Sequence, residues 1–205
     1  MPADTMAPLP LHTRPSGPQD APLLRLLFAS RCDHLRALGL PPDALQALID
    51  QQYACREADY TRRYPRARTL IALAGQEPVG ALVVNDDEAL LHIVDIVVAP
   101  SARGRGHGRA LVRQVQEQAR EAGRQAVTLG VDPTNQQALR LYLALGFEPA
   151  DMQPLQWRMQ WLPRTHLRPA PRRRVRTRIP CPSPSQRKAE PHVRTLPRRN
   201  PPDAV

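Results

Sequence analysis

Residues 90 to 122 change period in mid-run. LLHIVDIVV is a long, β-branched-rich strand signal, and it enters APSARGRGHG, after which Leu111, Val112, Val115, Ala119 and Ala122 fall on one helical stripe that Gly123 can terminate. A strand that passes through a glycine-rich turn directly into an amphipathic helix restricts the chain to layered α/β architectures, because the helix must bury its stripe against the sheet it has just left. The turn itself, Arg103-Gly104-Arg105-Gly106-His107-Gly108, has two physical readings. Its arginines suit a nucleic-acid backbone. Its glycines permit positive φ and close approach of the main chain, and the next N–H groups belong to a helix N-terminus, whose unpaired donors and dipole favour an anion such as a phosphate.

The surrounding segments extend the same architecture. LLRLLFA (23–29) reads as a short apolar strand, and RCDHLRALGL and PPDALQALIDQQYACREADYTRRY as two helices, the second started by Pro41-Pro42-Asp43 and carrying Leu45, Leu48, Ile49 and Tyr53 at helical spacing. RTLIALA and VGALVVN around GQEP predict an antiparallel hairpin, with NDDE as an acidic turn into the long strand. AVTLGV predicts a buried strand. TNQQALRLYLALGF predicts a helix with Ala138, Leu141, Tyr142 and Leu145 on one face, Thr134 or Asn135 as cap and Gly146 at its end. LQWRMQWL alternates, placing Leu155, Trp157, Met159 and Trp161 on one side. The expectation is a single mixed α/β domain over 23–162.

Charge and proline define the flanks. Residues 1–22 hold 6 prolines and little apolar periodicity, which predicts a disordered leader. Residues 163–205 hold 10 prolines and 12 Lys+Arg against 2 Asp+Glu, so the whole net charge of +10 belongs to this tail and the rest nets zero. The tail reads as disordered, basic and Pro/Arg-rich. It is the one segment suited to a nucleic acid or an acidic partner, and only electrostatically, since it holds no aromatic residue for base stacking. The scattered Cys32, Cys55 and Cys181 form no metal-ligand spacing and suit a reducing compartment. No run approaches the roughly 20 apolar residues of a membrane span, and no basic-then-apolar leader opens the chain. The expectation is a cytoplasmic protein with no metal and no membrane partner.

Familiar phosphate loops do not fit. A Walker loop needs Lys after its last glycine, and the sole lysine is Lys188; the dinucleotide fingerprint needs glycine where Arg109 stands. The spacing Arg-x-x-Gly-x-Gly, read as Arg103, Gly106 and Gly108, does fit, and it resembles the acyl-CoA pyrophosphate loop of the GNAT superfamily of N-acetyltransferases. NQQALRLYLALGF is similar to that family's second signature, with Asn135, Ala138, Leu141, Tyr142, Gly146 and Phe147 in register. The element order agrees over 23–162.

The resemblance implies a mixed, splayed central sheet flanked by helices, with acetyl-CoA as co-substrate and a primary amine of a small molecule or protein as acceptor, attacking directly in a ternary complex. It implies that backbone groups of Ile96, Val97 and Val98 hold the pantetheine arm. The N–H groups of Arg103, Gly104, Arg105, Gly106, His107, Gly108 and Arg109 would take the pyrophosphate, aided by the arginine side chains; for Arg105 and Arg109 the alternative is a solvated helix face. Asn135 would contact the cofactor arm, cap its helix, or both. Tyr142 matches the family tyrosine that protonates the leaving sulfur, its alternative being apolar packing. The family's usual base, a Glu on the strand, is replaced by His92, and the second usual carboxylate position is Gly130. His92 is the candidate base, with a structural histidine as the alternative; Asp95, of opposite strand parity, is expected to make a structural hydrogen bond. In YACREADY, Tyr53, Arg56 and Glu57 are candidate acceptor residues: Glu57 would favour a cationic amine, Arg56 an acidic one. Competing readings are an acyl-CoA-binding domain without catalysis and a nucleic-acid-binding protein acting through its tail.

Overall fold

A computed structural model describes residues 10–163. Its elements run β1 (Leu11–Pro15), α1 (Ala21–Ala29), α2 (Asp33–Arg36), α3 (Pro42–Arg63), β2 (Ala67–Ala74), β3 (Glu77–Asp87), β4 (Leu90–Val98), α4 (His107–Glu121), β5 (Ala126–Val131), α5 (Gln136–Ala144), β6 (Glu148–Met152) and β7 (Trp157–Trp161). The strands form one sheet in the order β1-β2-β3-β4-β5-β7-β6. Every neighbouring pair is antiparallel except β4 and β5, which are parallel and joined through α4.

Two apolar layers hold the helices to the sheet. On one face the stripe of α4 (Val112, Val115, Ala119) and the inner side of α5 (Leu139, Tyr142) bury against Leu82, Val84, Leu91, Ile93, Val127, Leu129 and Met159. On the other, Leu27 of α1 packs on Ile71, Leu73, Ala81 and Val97, and Cys32, Leu35 and Ile49 join α2 and α3. Each fully buried Leu, Val or Ile in these layers contributes about 1.5–3 kcal/mol from its removal from water.

Several expectations need correction. Residues 23–29 are helix, not strand: Leu23, Leu24 and Leu27 face the sheet while Leu26 points to water, and Pro22 occupies the first turn, where its missing N–H costs nothing. Residues 11–15 and 18–22 of the expected leader belong to β1, a short 3₁₀ turn and the start of α1. LHTRP forms the sheet's edge strand, Leu11 to Pro15 pairing with Ala74 to Leu70, and its proline is tolerated because an edge leaves one row of backbone groups unpaired. Arg14 fastens that edge with two 2.7 Å bonds to the buried Asp20. The hairpin turn is Gly75-Gln76, and Glu77 and Pro78 already belong to β3, as do Asn85, Asp86 and Asp87 of the expected acidic turn. Strand β6 has no counterpart among the expected elements. Leu155 lies before β7 and is exposed, whereas Trp157, Met159 and Trp161 do share the inner face. The basic-tail expectation concerns residues 163–205, of which 164–205 lie outside the described residues, as does the leader expectation for residues 1–9.

Candidate active site

The site is made by two parallel strands that part company. Leu90 to Ile93 pair with Ala126 to Leu129, and there the ladder stops, although β4 continues to Val98 and β5 to Val131. The gap is a cleft of ≈ 740 Å³ lined by Ile96 and Val98 on one arm, Gly130 and Val131 on the other, and the N-terminal turns of α4 and α5. A β-bulge helps to separate the arms. Val84 faces Ile93 while the next pair is Val83 with Asp95, so Val94 is the extra residue. The bulge also reverses an expectation. Strict alternation sets Asp95 opposite His92, but the inserted residue returns Asp95 to the same sheet face, the one that carries α1 and α3.

The backbone at the end of β4 is divided between the two sides. Ala99 N–H donates to Val79 of β3 at 2.8 Å, so by alternation the N–H groups of Ile96 and Val98 point away from β3, into the gap. Asp95 Oδ1 accepts the Ile96 N–H at 2.9 Å, and the Val98 carbonyl accepts from Arg103 Nε at 3.1 Å. Val97 faces the other way: its side chain is buried under α1, and its carbonyl lies so close to Gly80 that no Cβ would fit there.

After β4 the chain makes a short 3₁₀ turn, then the glycine loop. Gly104 (φ 77°) and Gly106 (φ 84°) adopt the left-handed conformation, and Gly106 caps α4, its carbonyl taking the Ala110 N–H at 3.0 Å. The N–H groups of residues 104 to 109 have no backbone partner among the described residues. Six consecutive free donors at the head of a 15-residue helix form an anion cradle. Gly104, Gly106, His107, Gly108 and Arg109 line the cleft; Arg103 lines it too but spends its Nε on Val98. Arg105 does not reach the cleft and stays exposed, which favours the solvated one of its two readings. Gly108 lacks positive φ, and a Cβ there would stand in ordinary contact, 3.7 Å from Leu141 and 3.9 Å from Val98, both cleft residues.

Helix α5 positions Tyr142 from both ends. Asn135 Oδ1 accepts the Ala138 N–H at 3.0 Å, a side-chain N-cap, and Asn135 also lines the cleft. At the other end Gly146 (φ 80°) closes the helix: its N–H bonds the Leu143 carbonyl, and Phe147 N–H bonds the Tyr142 carbonyl, each at 3.0 Å. From α4, Gln116 Nε2 satisfies the Leu145 carbonyl at 2.9 Å. The Phe147 ring then sits 5.8 Å from that of Tyr142. The Leu-Tyr-x-x-x-Gly-Phe spacing is therefore a helix stop that fixes one phenol. Burial pushes the Tyr142 hydroxyl up to about 12, with the charge of Asp95 adding to the rise and that of Arg31 opposing it. The phenol is thus neutral near pH 7 and able to donate a proton.

His92 is not placed to serve that cleft. It sits in the closed part of the ladder opposite Thr128, with Nδ1 2.8 Å from Thr128 Oγ1 and Nε2 3.2 Å from Tyr64 Oη, stacked on the Tyr64 ring at 5.1 Å. Burial, followed by the charge of Arg158, pulls it down to about 4. With both nitrogens engaged and no cleft-lining surface, His92 reads as a structural histidine.

Tyr53, Arg56 and Glu57 likewise stand behind the cleft, not in its wall. The Arg56 guanidinium is caged by Phe28, Tyr53 and Tyr60, 4.6, 5.0 and 5.4 Å from their ring centroids, and pairs with Glu57 at 3.0 Å and Asp95 at 3.3 Å. What faces the cleft is Asp95 and Arg31, whose Nη1 contacts both Asp95 oxygens at 2.7 and 2.9 Å. Sequence reasoning gave no role to Arg31, Gln137 or Arg140, all of which line the cleft. Arg31 lies in the joint between α1 and α2, where no periodicity marks it. Among the described residues no helix is long and apolar enough to cross a membrane, and no cluster of three His, Cys, Asp or Glu could hold a metal.

The site is thus a parallel strand pair that splays beside a glycine-rich anion cradle. Residues 35–147, more than half of the chain, match the Acetyltransferase (GNAT) family, and the chain belongs to it. A 60-residue stretch is 42% identical to an uncharacterized N-acetyltransferase of Methanocaldococcus jannaschii; it covers 29% of this chain and 26% of the relative, so the match spans about a quarter of that relative's length. Among solved structures, the PaiA N-acetyltransferase of Thermoplasma acidophilum in complex with coenzyme A superposes with a TM-score of 0.58 at 14% identity, covering 75% of this chain and 99% of that one. An acetyltransferase of Thermus thermophilus gives 0.56 at 24% identity, covering 77% and 99%. The spermidine N-acetyltransferase of Vibrio cholerae in complex with CoA and spermine gives 0.53 at 18% identity, covering 74% and 95%. At these identities the likeness shows the fold.

Proposed function

We propose that the protein transfers the acetyl group of acetyl-CoA to a primary amine of a small molecule or protein, by direct attack in a ternary complex. The observation that carries this reading is one cleft that joins a cradle of free N–H donors, at residues 104 to 109, to a buried neutral phenol, Tyr142. The donor set suits a pyrophosphate, and the gap between β4 and β5 suits an extended arm reaching from the cradle to Tyr142. Acetyl-CoA would supply the reactive thioester.

The chain's own residues then have distinct tasks. Free N–H groups of the loop, the α4 N-terminus and Arg109 bind the pyrophosphate. The inward-facing Val98 N–H holds the arm. As the C–N bond forms and the C–S bond breaks, Tyr142 gives its proton to the sulfur and the attacking nitrogen releases one to water. The titratable candidates among the described residues are engaged: His92 by Tyr64 and Thr128, Asp95 by two guanidiniums, and Asp132 by Thr134. The amine therefore has to arrive neutral or lose its proton to water.

Tyr142→Phe tests the reading. It should keep the acetyl-CoA-induced rise in Tm and lower kcat roughly 100-fold or more, the scale of a lost general acid. Unchanged kcat would remove Tyr142 from the chemistry. If acetyl-CoA produced no rise in Tm even in the unaltered protein, the whole reading would fail.

A further inference from the structure

The charged groups at the acceptor side of the cleft are arranged for an anion. This side opens on the face that carries α1 and α3, where α1 packs over β2, β3 and β4. Asp95 is the carboxylate at the opening, and it is fully committed: Oδ1 accepts from Arg31 and the Ile96 N–H, Oδ2 from Arg31 and Arg56. Glu57, behind it, is paired with Arg56. Asp95 and Glu57 are thus both paired with arginine; the other carboxylate in the cleft wall, Asp132 at the end of β5, turns Oδ1 to the N–H and hydroxyl of Thr134.

Two guanidiniums have capacity to spare: Arg31, in the cleft wall, and Arg158, outside that wall on β7. Arg31, over β4, uses only Nη1, and its side chain is 45% exposed. Arg158, on β7, stands directly across the ladder from Gly130, which lines the cleft on β5. It is exposed and makes no ion pair among the described residues; its neighbour across the other ladder, Asp151, takes a bond from Gln153 at 3.3 Å. Gly130 leaves no side chain between Arg158 and the cleft; only the movable amide of Gln156 lies against it.

We infer that the acceptor is a small amine carrying its own anionic group, a carboxylate or a phosphate, which Arg31 and Arg158 hold while the amine turns toward Tyr142. The inference rests on the acetyltransferase reading above and names its acceptor class. It also answers how the amine is deprotonated. Positive charge around a bound ammonium favours its neutral form, so the arginines that fix the anion also promote loss of the proton. The same field repels a polycation.

The test uses the full chain and saturating acetyl-CoA, reading CoA release with four amines: ethanolamine, O-phosphoethanolamine, β-alanine and spermidine. One or both anionic amines should exceed ethanolamine in kcat/KM by at least about tenfold, the scale of a hydrogen bond to a charged group, with spermidine below ethanolamine. The comparison between the two distinguishes phosphate from carboxylate. Arg158→Glu should cost the preferred anionic amine roughly 10- to 100-fold, mainly in KM, and leave the KM of acetyl-CoA unchanged. As a binding readout, that amine should raise the Tm of the CoA-saturated protein, and Arg158→Glu should abolish the rise. A preference for spermidine or ethanolamine, or an unchanged KM in Arg158→Glu, would overturn the inference alone. Silence of all four amines while acetyl-CoA still raises Tm would overturn the acetyltransferase reading, and the inference with it.

Discussion

Gly106 and Gly108 are two residues apart in one loop, and alanine should act on them with opposite sign. Gly106 holds φ 84° with nothing within 4 Å of where a methyl would stand, so the cost of Gly106→Ala is purely torsional, about 1–2 kcal/mol for a left-handed non-glycine residue. If the free loop keeps its shape, that cost appears as a fall in Tm of roughly 2–8 °C. If the free loop relaxes, Tm is kept and the cradle must be re-formed on binding, which weakens acetyl-CoA roughly 5- to 30-fold. In both cases the Tm of the acetyl-CoA-saturated protein falls. Gly108 lacks positive φ and has room for a methyl at 3.7 Å from Leu141, so Gly108→Ala should stabilise the free protein by about 0.4–1 kcal/mol through the unfolded chain. The added methyl lines the cleft between Leu141 and Val98, and acetyl-CoA affinity should drop. Differential scanning fluorimetry across an acetyl-CoA titration reads both. A Gly106→Ala protein unchanged in Tm, free and saturated, would refute the cradle. So would an Arg105→Ala protein that loses binding more severely than either glycine variant, because it would return the loop to a side-chain site.

Two further perturbations separate structure from chemistry. His92 has a folded-state value near 4 against an ordinary 6.5, so its contribution is present above pH 6.5 and is lost as pH falls toward 4, on the order of 3 kcal/mol in all. His92→Gln should flatten that part of the acid limb in pH-dependent denaturation and leave kcat near pH 7 within about threefold; a loss of activity with Tm intact would reinstate His92 as the base. Phe147→Leu should cost about 1–2 kcal/mol in urea denaturation, and, by freeing the Tyr142 ring it packs against, lower kcat while leaving the KM of acetyl-CoA unchanged. Equal kcat in that variant would detach Phe147 from the site.

The glycine loop and the helix stop of the candidate site were legible in the sequence because they are main-chain features. A backbone that must turn left-handed twice, cap a helix and stop another requires glycine at 104, 106 and 146, and glycine is visible in a string of letters. The proposed acceptor side depends on side chains from distant segments. Arg31, Asp95 and Arg158 belong to a helix joint, a bulged strand and the last strand, and nothing local marks them as neighbours. The errors in the fold have the same origin. Residues 23–29 are too short and too apolar for period to distinguish helix from strand, and only Pro22 carried the signal. Strand β1 is polar and flanked by prolines, and it is held by pairing with β2 and by Arg14 on Asp20 instead of by an apolar face of its own.

Val94 ties the two halves together. Were Val94 paired with Val83 instead of bulged, residue 95 would fall opposite Leu82 and its side chain would point into the layer under α4 and α5, where Leu82, Ile93 and Leu129 are packed. A carboxylate there would be desolvated without a partner, at a cost of several kcal/mol. The bulge instead delivers it to the opposite face, where Arg31 and Arg56 meet it. The same local twist carries the end of β4 away from β5, so the inward N–H of Val98 meets a cleft instead of a neighbouring strand. The bulge therefore both lies where the β4–β5 ladder ends and places the Asp95 carboxylate against Arg31 and Arg56. On the proposed reading, a site assembled on this strand relies on the positive surroundings of Arg31 and Arg158 in place of a side-chain base.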